Sequence, residues 1–392
     1  MRGFPPKLED RITALNWDQP GRAAWSFRNM RRLFPTAPVA RGKGPAAELM
    51  RAPQDLDRLP LAKADGSPAT LLDFLEASHS NGFIVLHRGR VVYERYFNGL
   101  GPEDPHLAMS VSKSVAGDLC GILVAEGRLD PAVRVETYIP ELARTGYAGA
   151  TLQQLLDMQT GVRFVEDYYD PDSDAAKIDI ACGWKPPRRP DDAISLYDMI
   201  LAIEPDRPHG EKFTYRSADT DLLGWIMERT TGMHLAELLS DRLWSKLGTE
   251  HDAYYALDKV GSALADGGFC ASLRDFARFG QMHLDMGLFA GRQIVPGEWV
   301  RRTRRGDRTK FRDEPYRSQM PKGAYSHQWW VKDVSTGVQL ARGIFGQMIY
   351  VDPPNEMVAV KLSTWPKPTM PEVVVETLRA LETIGSWLSR GG

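Results

Sequence analysis

Cysteine is scarce. Three residues in 392, Cys120, Cys182 and Cys270, stand far apart and form no C-x-x-C pair. An odd, scattered set excludes a disulfide framework and suits buried thiols in a reducing compartment. Long apolar runs are missing as well. The opening MRGFPPKLEDRITALNWDQP lacks the apolar core of a secretory signal, and no window approaches a membrane span in length. The expectation is a cytoplasmic protein with no membrane partner. Charge of one sign is not in excess, since 49 Lys and Arg face 51 Asp and Glu for a formal net charge of −2. Arginine clusters such as RNMRRLF and RRTRRGDR therefore read as solvated surface, and no nucleic-acid partner is expected. The eight histidines are scattered with no H-E-x-x-H, and no serine lies in a G-x-S-x-G elbow. A metal site and an α/β-hydrolase are both disfavoured.

What is present points to two packed regions in one chain. Residues 1–75 mix Pro, Arg, Trp and charge without a sustained period and read as an irregular arm. From Gly82 onward FIVLH, RGR and VVYERYF read as a β-hairpin, while VQLARGIFGQMIYVDP and EMVAVKLST near the other end read as two or three strands. The closing PEVVVETLRALETIGSWLSR has Pro in its first turn and apolar residues at helical spacing. Between them, TLQQLLDMQTG, SLYDMILAIE, TDLLGWIMERTTGMHLAELLSDRLW and SLRDFARFGQMHLDMG carry the i, i+3, i+4 pattern of helices. The fold class expected is α/β: an antiparallel sheet built from both chain ends (76–112 and 329–392) and flanked by helices, with a mostly helical region (113–328). An active site would lie in the cleft between the two regions.

The stretch LAMSVSKSVAGDLCGILVAEG puts three serines and a lysine in front of a helix-periodic run. Serine favours caps over helix interiors, so capping is one reading. Nucleophilic chemistry is the other: Ser110 and Lys113, three apart, share a helix face, and a lysine kept neutral by burial and the helix dipole could take the serine proton. Downstream, Tyr215 and Ser217 in TYRSADTD precede an amphipathic helix, where a phenol could relay a proton or simply be a satisfied core tyrosine. In ARGIFGQ, Gly343 and Gly346 allow either a strand bulge or a close backbone approach to an oxyanion.

Ser-x-x-Lys, then Tyr-x-Ser, then a Gly-containing strand before the last helix resembles the serine β-lactamase and penicillin-binding protein superfamily. The phrases EGRLDPAVRVETYIPEL, TLQQLLDMQTGV, DLLGWIMERTTGM and ADGGFCASLRDFARFGQM resemble its class C and esterase-like branch. HLAMSVSKS, EDYYDP, GWK, YRSADTD, HQWW and GIFGQ resemble hydrolases of linear amides within that branch. The resemblance implies a β-lactamase/DD-peptidase-like fold and a serine hydrolase acting on small linear amides and short-chain esters through an acyl-enzyme, without cofactor or metal. It implies Ser110 as nucleophile, Lys113 as base, Tyr215 as proton donor to the leaving amine, and the Ile344 backbone N–H as an oxyanion donor together with that of Ser110. It further implies Tyr168 on the substrate amide, Asp179 on a substrate ammonium, and Trp184, Asp266, Trp330, Ser217 and Gly343 around the pocket. A homodimer is the assembly allowed for. ARGIFG replaces the Lys-Thr-Gly strand of true β-lactamases, which argues against efficient β-lactam hydrolysis. The alternatives are a carboxylesterase of the same fold and a non-catalytic penicillin-binding-type protein.

Overall fold

The computed structural model describes residues 3–62 and 66–391. Its main feature is a seven-stranded antiparallel sheet. Strands β1 (Ser80–His87) and β2 (Arg90–Tyr96) come from the first third of the chain. Strands β3 (Ala324–Ser326), β4 (Trp329–Asp333), β5 (Val338–Gly343), β6 (Gln347–Asp352) and β7 (Met357–Ser363) come from the last. Their spatial order is β3-β4-β5-β6-β7-β1-β2. The two chain ends therefore meet at the β7–β1 seam, where Val360 faces Ile84. β1 turns into β2 through Arg88 and Gly89, with φ of +51° and +72°. That is the left-handed pair a two-residue hairpin requires, and glycine adopts it without strain.

Five helices position the site. They are α1 (Val111–Ala125), α2 (Asp174–Ala181), α3 (Ser217–Thr231), α4 (Leu273–Leu284) and α5 (Pro371–Ser389). α4 packs against β1, β6 and β7. α1 is buried along almost its whole length between α3 and the sheet, which explains why its residues are apolar or small apart from Lys113 and Asp118. α5 starts with Pro371 at its first turn and buries Val373, Val374, Leu378, Leu381 and Ile384, the stripe that its apolar spacing predicts.

Two features extend the sequence reading. The segment read as an irregular arm contains a strand, Thr36–Val39, paired antiparallel to Ala253–Ala256 in a second, four-stranded sheet. Its end at residue 75 falls inside a capped helix, Leu71–Ala77. The strand is short and pairs with a partner more than two hundred residues away, so no local period announces it. The three cysteines are buried and free. No helix among the described residues is long and apolar enough to cross a membrane.

Candidate active site

The turn before α1 holds Met109 at φ +48°, a sparsely populated conformation for a side chain of this size that persists only where the surroundings enforce it. It delivers Ser110 to the N-terminal boundary of α1. Ser110 makes no side-chain cap; instead its Oγ accepts from Lys113 Nζ at 2.9 Å. The neighbouring serines have other work. Ser112 Oγ donates to Met109 O and accepts from Phe269 N, and Ser114 Oγ donates to Gln328 O. The three serines are thus one candidate nucleophile and two buried braces of its turn.

Lys113 is 1% exposed. Besides Ser110, its Nζ donates to Ser217 Oγ (3.1 Å), Asp266 O (2.9 Å) and Asp266 Oδ2 (3.2 Å). Burial opposes the ammonium, but the acidic groups around it, Asp266 first, outweigh burial and raise the lysine above its usual range. The neutral lysine expected from the sequence is opposed here: acidic groups that the helix-dipole argument could not see surround it and favour the ammonium. Asp266 is relocated by the same contacts. It was expected on the pocket wall, but its carboxylate lies behind the lysine, and Asp221 Oδ1 accepts from its backbone N–H at 3.0 Å.

Tyr215, at the loop entering α3, stacks on Trp330 with centroids 5.2 Å apart, and Lys113 Nζ lies 5.2 Å from its ring centre. Burial raises its phenol, while Lys113 and contacts from Ser110 and Lys113 pull the other way. Ser217 Oγ donates to Glu166 Oε1 at 2.6 Å, and Tyr168 OH donates to the same oxygen at 2.7 Å. One hydrogen-bonded chain thus runs from Ser110 through Lys113, Ser217 and Glu166 to Tyr168. Glu166 was not singled out in the sequence. It lies two residues before Tyr168 in the quoted EDYYDP, the one signal that could have pointed to it.

β5 closes the other side. A Cβ on Gly343 would stand 2.6 Å from Ala108 O and 3.0 Å from Ser110 N. Only glycine lets the strand approach this closely. Immediately after it, Ile344 lines the same cavity as Ser110. Neither the Ser110 nor the Ile344 N–H donates to a backbone acceptor among the described residues. Phe345 then takes φ +59° and packs edge-on against Phe27 at 5.4 Å.

The cleft has two chambers, with Tyr168, Tyr169, Ile344 and Pro368 lining both. The first holds Ser110, Glu166, Tyr215, Tyr316, Trp330 and Arg342. The second holds Asp179 on α2, Trp184, Lys185, Trp17 and Asp18. Burial pushes Asp179 up to about 7, and Lys185 offsets part of this. Trp17 packs against Trp184 at 4.9 Å, its indole N–H donating to Trp184 O. Of the residues expected around the site, Ser110, Tyr168, Tyr215, Trp330, Gly343 and Ile344 share the first chamber. Asp179 and Trp184 occupy the second, and Lys113, Ser217 and Asp266 form the supporting network. Among the described residues, no group of three or more His, Cys, Asp or Glu side chains is arranged to hold a metal.

Comparison with known proteins agrees with this geometry. Residues 69–383 match the Beta-lactamase family model. The chain belongs to the β-lactamase family. It is 38% identical to 6-aminohexanoate-dimer hydrolase of Paenarthrobacter ureafaciens over 368 residues, 93% of this chain and 91% of that one. A solved Bacillus anthracis structure, provisionally given the same enzyme name, superposes with a TM-score of 0.90 at 32% identity, covering 98% of this chain and 99% of that one. A family VIII carboxylesterase shares the fold at 16% identity and a TM-score of 0.56, over 80% and 95% of the two chains. The protein is thus a hydrolase of the β-lactamase and penicillin-binding protein superfamily, related to 6-aminohexanoate-dimer hydrolase.

Proposed function

We propose that this protein is a serine hydrolase that cleaves linear amides of the 6-aminohexanoate-dimer type, and short-chain esters, through an acyl-enzyme on Ser110. The observation that carries this reading is the 2.9 Å contact from Lys113 Nζ to Ser110 Oγ in a cleft that Tyr215 also lines. The relationship to the Paenarthrobacter ureafaciens enzyme supports the substrate class.

Because Asp266 holds Lys113 as an ammonium, the reactive form is the Lys113–Tyr215 pair that has lost one proton. Strongly interacting groups of this kind titrate as a pair. That pair takes the Ser110 proton as Oγ attacks the carbonyl carbon. The tetrahedral oxyanion accepts from the Ser110 and Ile344 N–H groups, where one such donor is worth roughly 3 kcal/mol. Tyr215 returns a proton to the nitrogen, the C–N bond breaks, and the amine leaves. Water deprotonated by the same pair then attacks the ester carbonyl, the C–Oγ bond breaks, and the pair hands that proton to Ser110 Oγ as the acid leaves, a sequence that requires no metal or cofactor. On the acyl side, Asp179 offers a carboxylate to a substrate ammonium, a charge-assisted bond strengthened by partial exclusion of water.

The aromatic wall of Tyr316, Trp330 and Trp365 around Ser110 favours a second reading, a carboxylesterase on short acyl esters. Rates on aminohexanoate dimer, p-nitrophenyl acetate and nitrocefin separate the two, with amide turnover expected and nitrocefin turnover negligible. Ser110→Ala should lose more than about 1,000-fold in rate and the acyl adduct seen by intact-protein mass spectrometry. Turnover retained by that variant ends the proposal.

A further inference from the structure

We propose that Arg342 forms a second charged subsite in the cleft, one that binds the carboxylate of an anionic leaving group; this rests on the serine-hydrolase reading above. Arg342 lies on β5, immediately before the Gly343 that presses against Ser110, and lines the same chamber as Ser110 and Tyr215. Its guanidinium sits 5.2 Å from the Trp330 ring centre, and its one hydrogen bond among the described residues is from Nη1 to Gln319 Oε1 at 3.0 Å. No described carboxylate forms an ion pair with it. The fully buried Arg278, by contrast, pairs with both Asp275 and Glu250, and the equally buried Arg216 donates to the carbonyls of Thr160 and Thr214.

The acids nearest at hand in this chamber are committed to other partners. Glu166 accepts from Ser217 and Tyr168, and Asp167 accepts from the backbone N–H groups of Tyr169 and Asp170. Arg342 is the only basic residue among those lining this chamber. Burial acts against its charge, with no carboxylate opposing that effect. Arginine stays ionised regardless, so a half-buried cation with free N–H groups borders the cavity. A guanidinium fork is matched by a carboxylate, which it can bind through two parallel hydrogen bonds.

Direction follows from the chemistry. Tyr215, the proton donor to the departing nitrogen, lines the Arg342 chamber and not the Asp179 chamber. The amine half of the substrate therefore extends toward Arg342 and the acyl half toward Asp179. A substrate satisfying both carries an ammonium on its acyl end and a carboxylate on its amine end, the pattern of a linear ω-amino acid oligomer.

The test uses two acetyl esters of similar shape and different leaving-group charge, 4-acetoxybenzoate and 4-acetoxybenzamide, each rate being normalised to that ester's hydroxide hydrolysis. The unmodified enzyme should favour the benzoate in kcat/KM by roughly tenfold or more after correction for buffer hydrolysis. R342Q should bring the ratio to within about twofold of unity through a rise in KM for the benzoate alone. R342M, whose unbranched chain can still pack on Trp330, is the second variant should R342Q fail to give a cooperative melt. An unmodified enzyme without the preference, or folded variants that retain it, overturns the subsite. Ester turnover with the preference but without any linear-amide turnover would instead sink the amide reading and leave the subsite standing.

Discussion

Lys113 shows how far the protonation state of one side chain depends on groups that are distant in sequence. Its hydrogen-bond partners come from positions 217 and 266, and Asp266 and Glu166 favour the ammonium of a buried amine. A proton affinity raised in this way leaves the base form populated only toward alkaline pH. kcat/KM should therefore climb as pH rises, along a limb belonging to the Lys113–Tyr215 pair. Asp266→Asn keeps an oxygen acceptor but removes the charge, so the limb should move to lower pH in a pH–rate profile. An unmoved limb would show that Asp266 does not hold the proton. Asp179 titrates in the same functional sense, its deprotonated form being the one that binds. Held near 7 by burial, it is ionised above that pH and neutral below it. KM for an amide bearing a terminal ammonium should rise as pH falls through this range, while KM for a neutral p-nitrophenyl ester stays flat. Parallel behaviour of the two substrates would remove Asp179 from ammonium binding.

At the scale of elements, the site is the meeting of one helix start with one strand end. α1 brings Ser110 and Lys113 on a shared face, and β5 supplies Gly343 and Ile344 close beside them. The approach has no slack, since the backbone atoms of Ala108 and Ser110 cannot retreat without moving α1. Gly343→Ala should thus displace the Ile344 N–H and cut ester kcat/KM by roughly 100-fold, the cost of one lost oxyanion donor. Its thermal melt should fall as well, because the added Cβ meets backbone atoms of Ala108 and Ser110 at 2.6 and 3.0 Å. Unchanged activity in this variant would mean that the strand does not close on the serine. The loops at the chamber mouth are also tied together: Tyr169 OH bonds to Thr369, joining the segment that follows Glu166 to the one that precedes α5.

At the scale of the whole molecule, the opening segment helps to build the second chamber. Trp17, 2% exposed, packs on Phe27, Phe34 and Trp184, and Asp18 pairs with Lys185 beside Asp179. The strand Thr36–Val39 holds this segment in place through its pairing with Ala253–Ala256. Trp17→Ala should cost about 3–5 kcal/mol of stability by denaturant titration, the usual loss for a large aromatic removed from a packed core. It should also weaken ammonium-bearing amides more than neutral esters. A small loss, or equal effects on the two substrates, would place Trp17 outside the walls of the working site.

The local sequence carried whatever depends on neighbours within a turn or a hairpin. It determined that Ser110 and Lys113 share a helix face, that Arg88 and Gly89 turn one strand into the next, and that Pro371 opens the last helix, because periodicity, capping and turn preferences act over a few residues. The resemblance of scattered phrases extended this to the superfamily and to Tyr215, Gly343 and Ile344. What remained closed was whatever arises between segments far apart in the chain. The charge on Lys113, the place of Asp266 behind it, the link through Glu166, the entry of Trp17 into the second chamber and the unmatched cation at Arg342 follow from the tertiary structure alone. Burial and Coulomb forces depend on distance in space, and no window of sequence contains that distance.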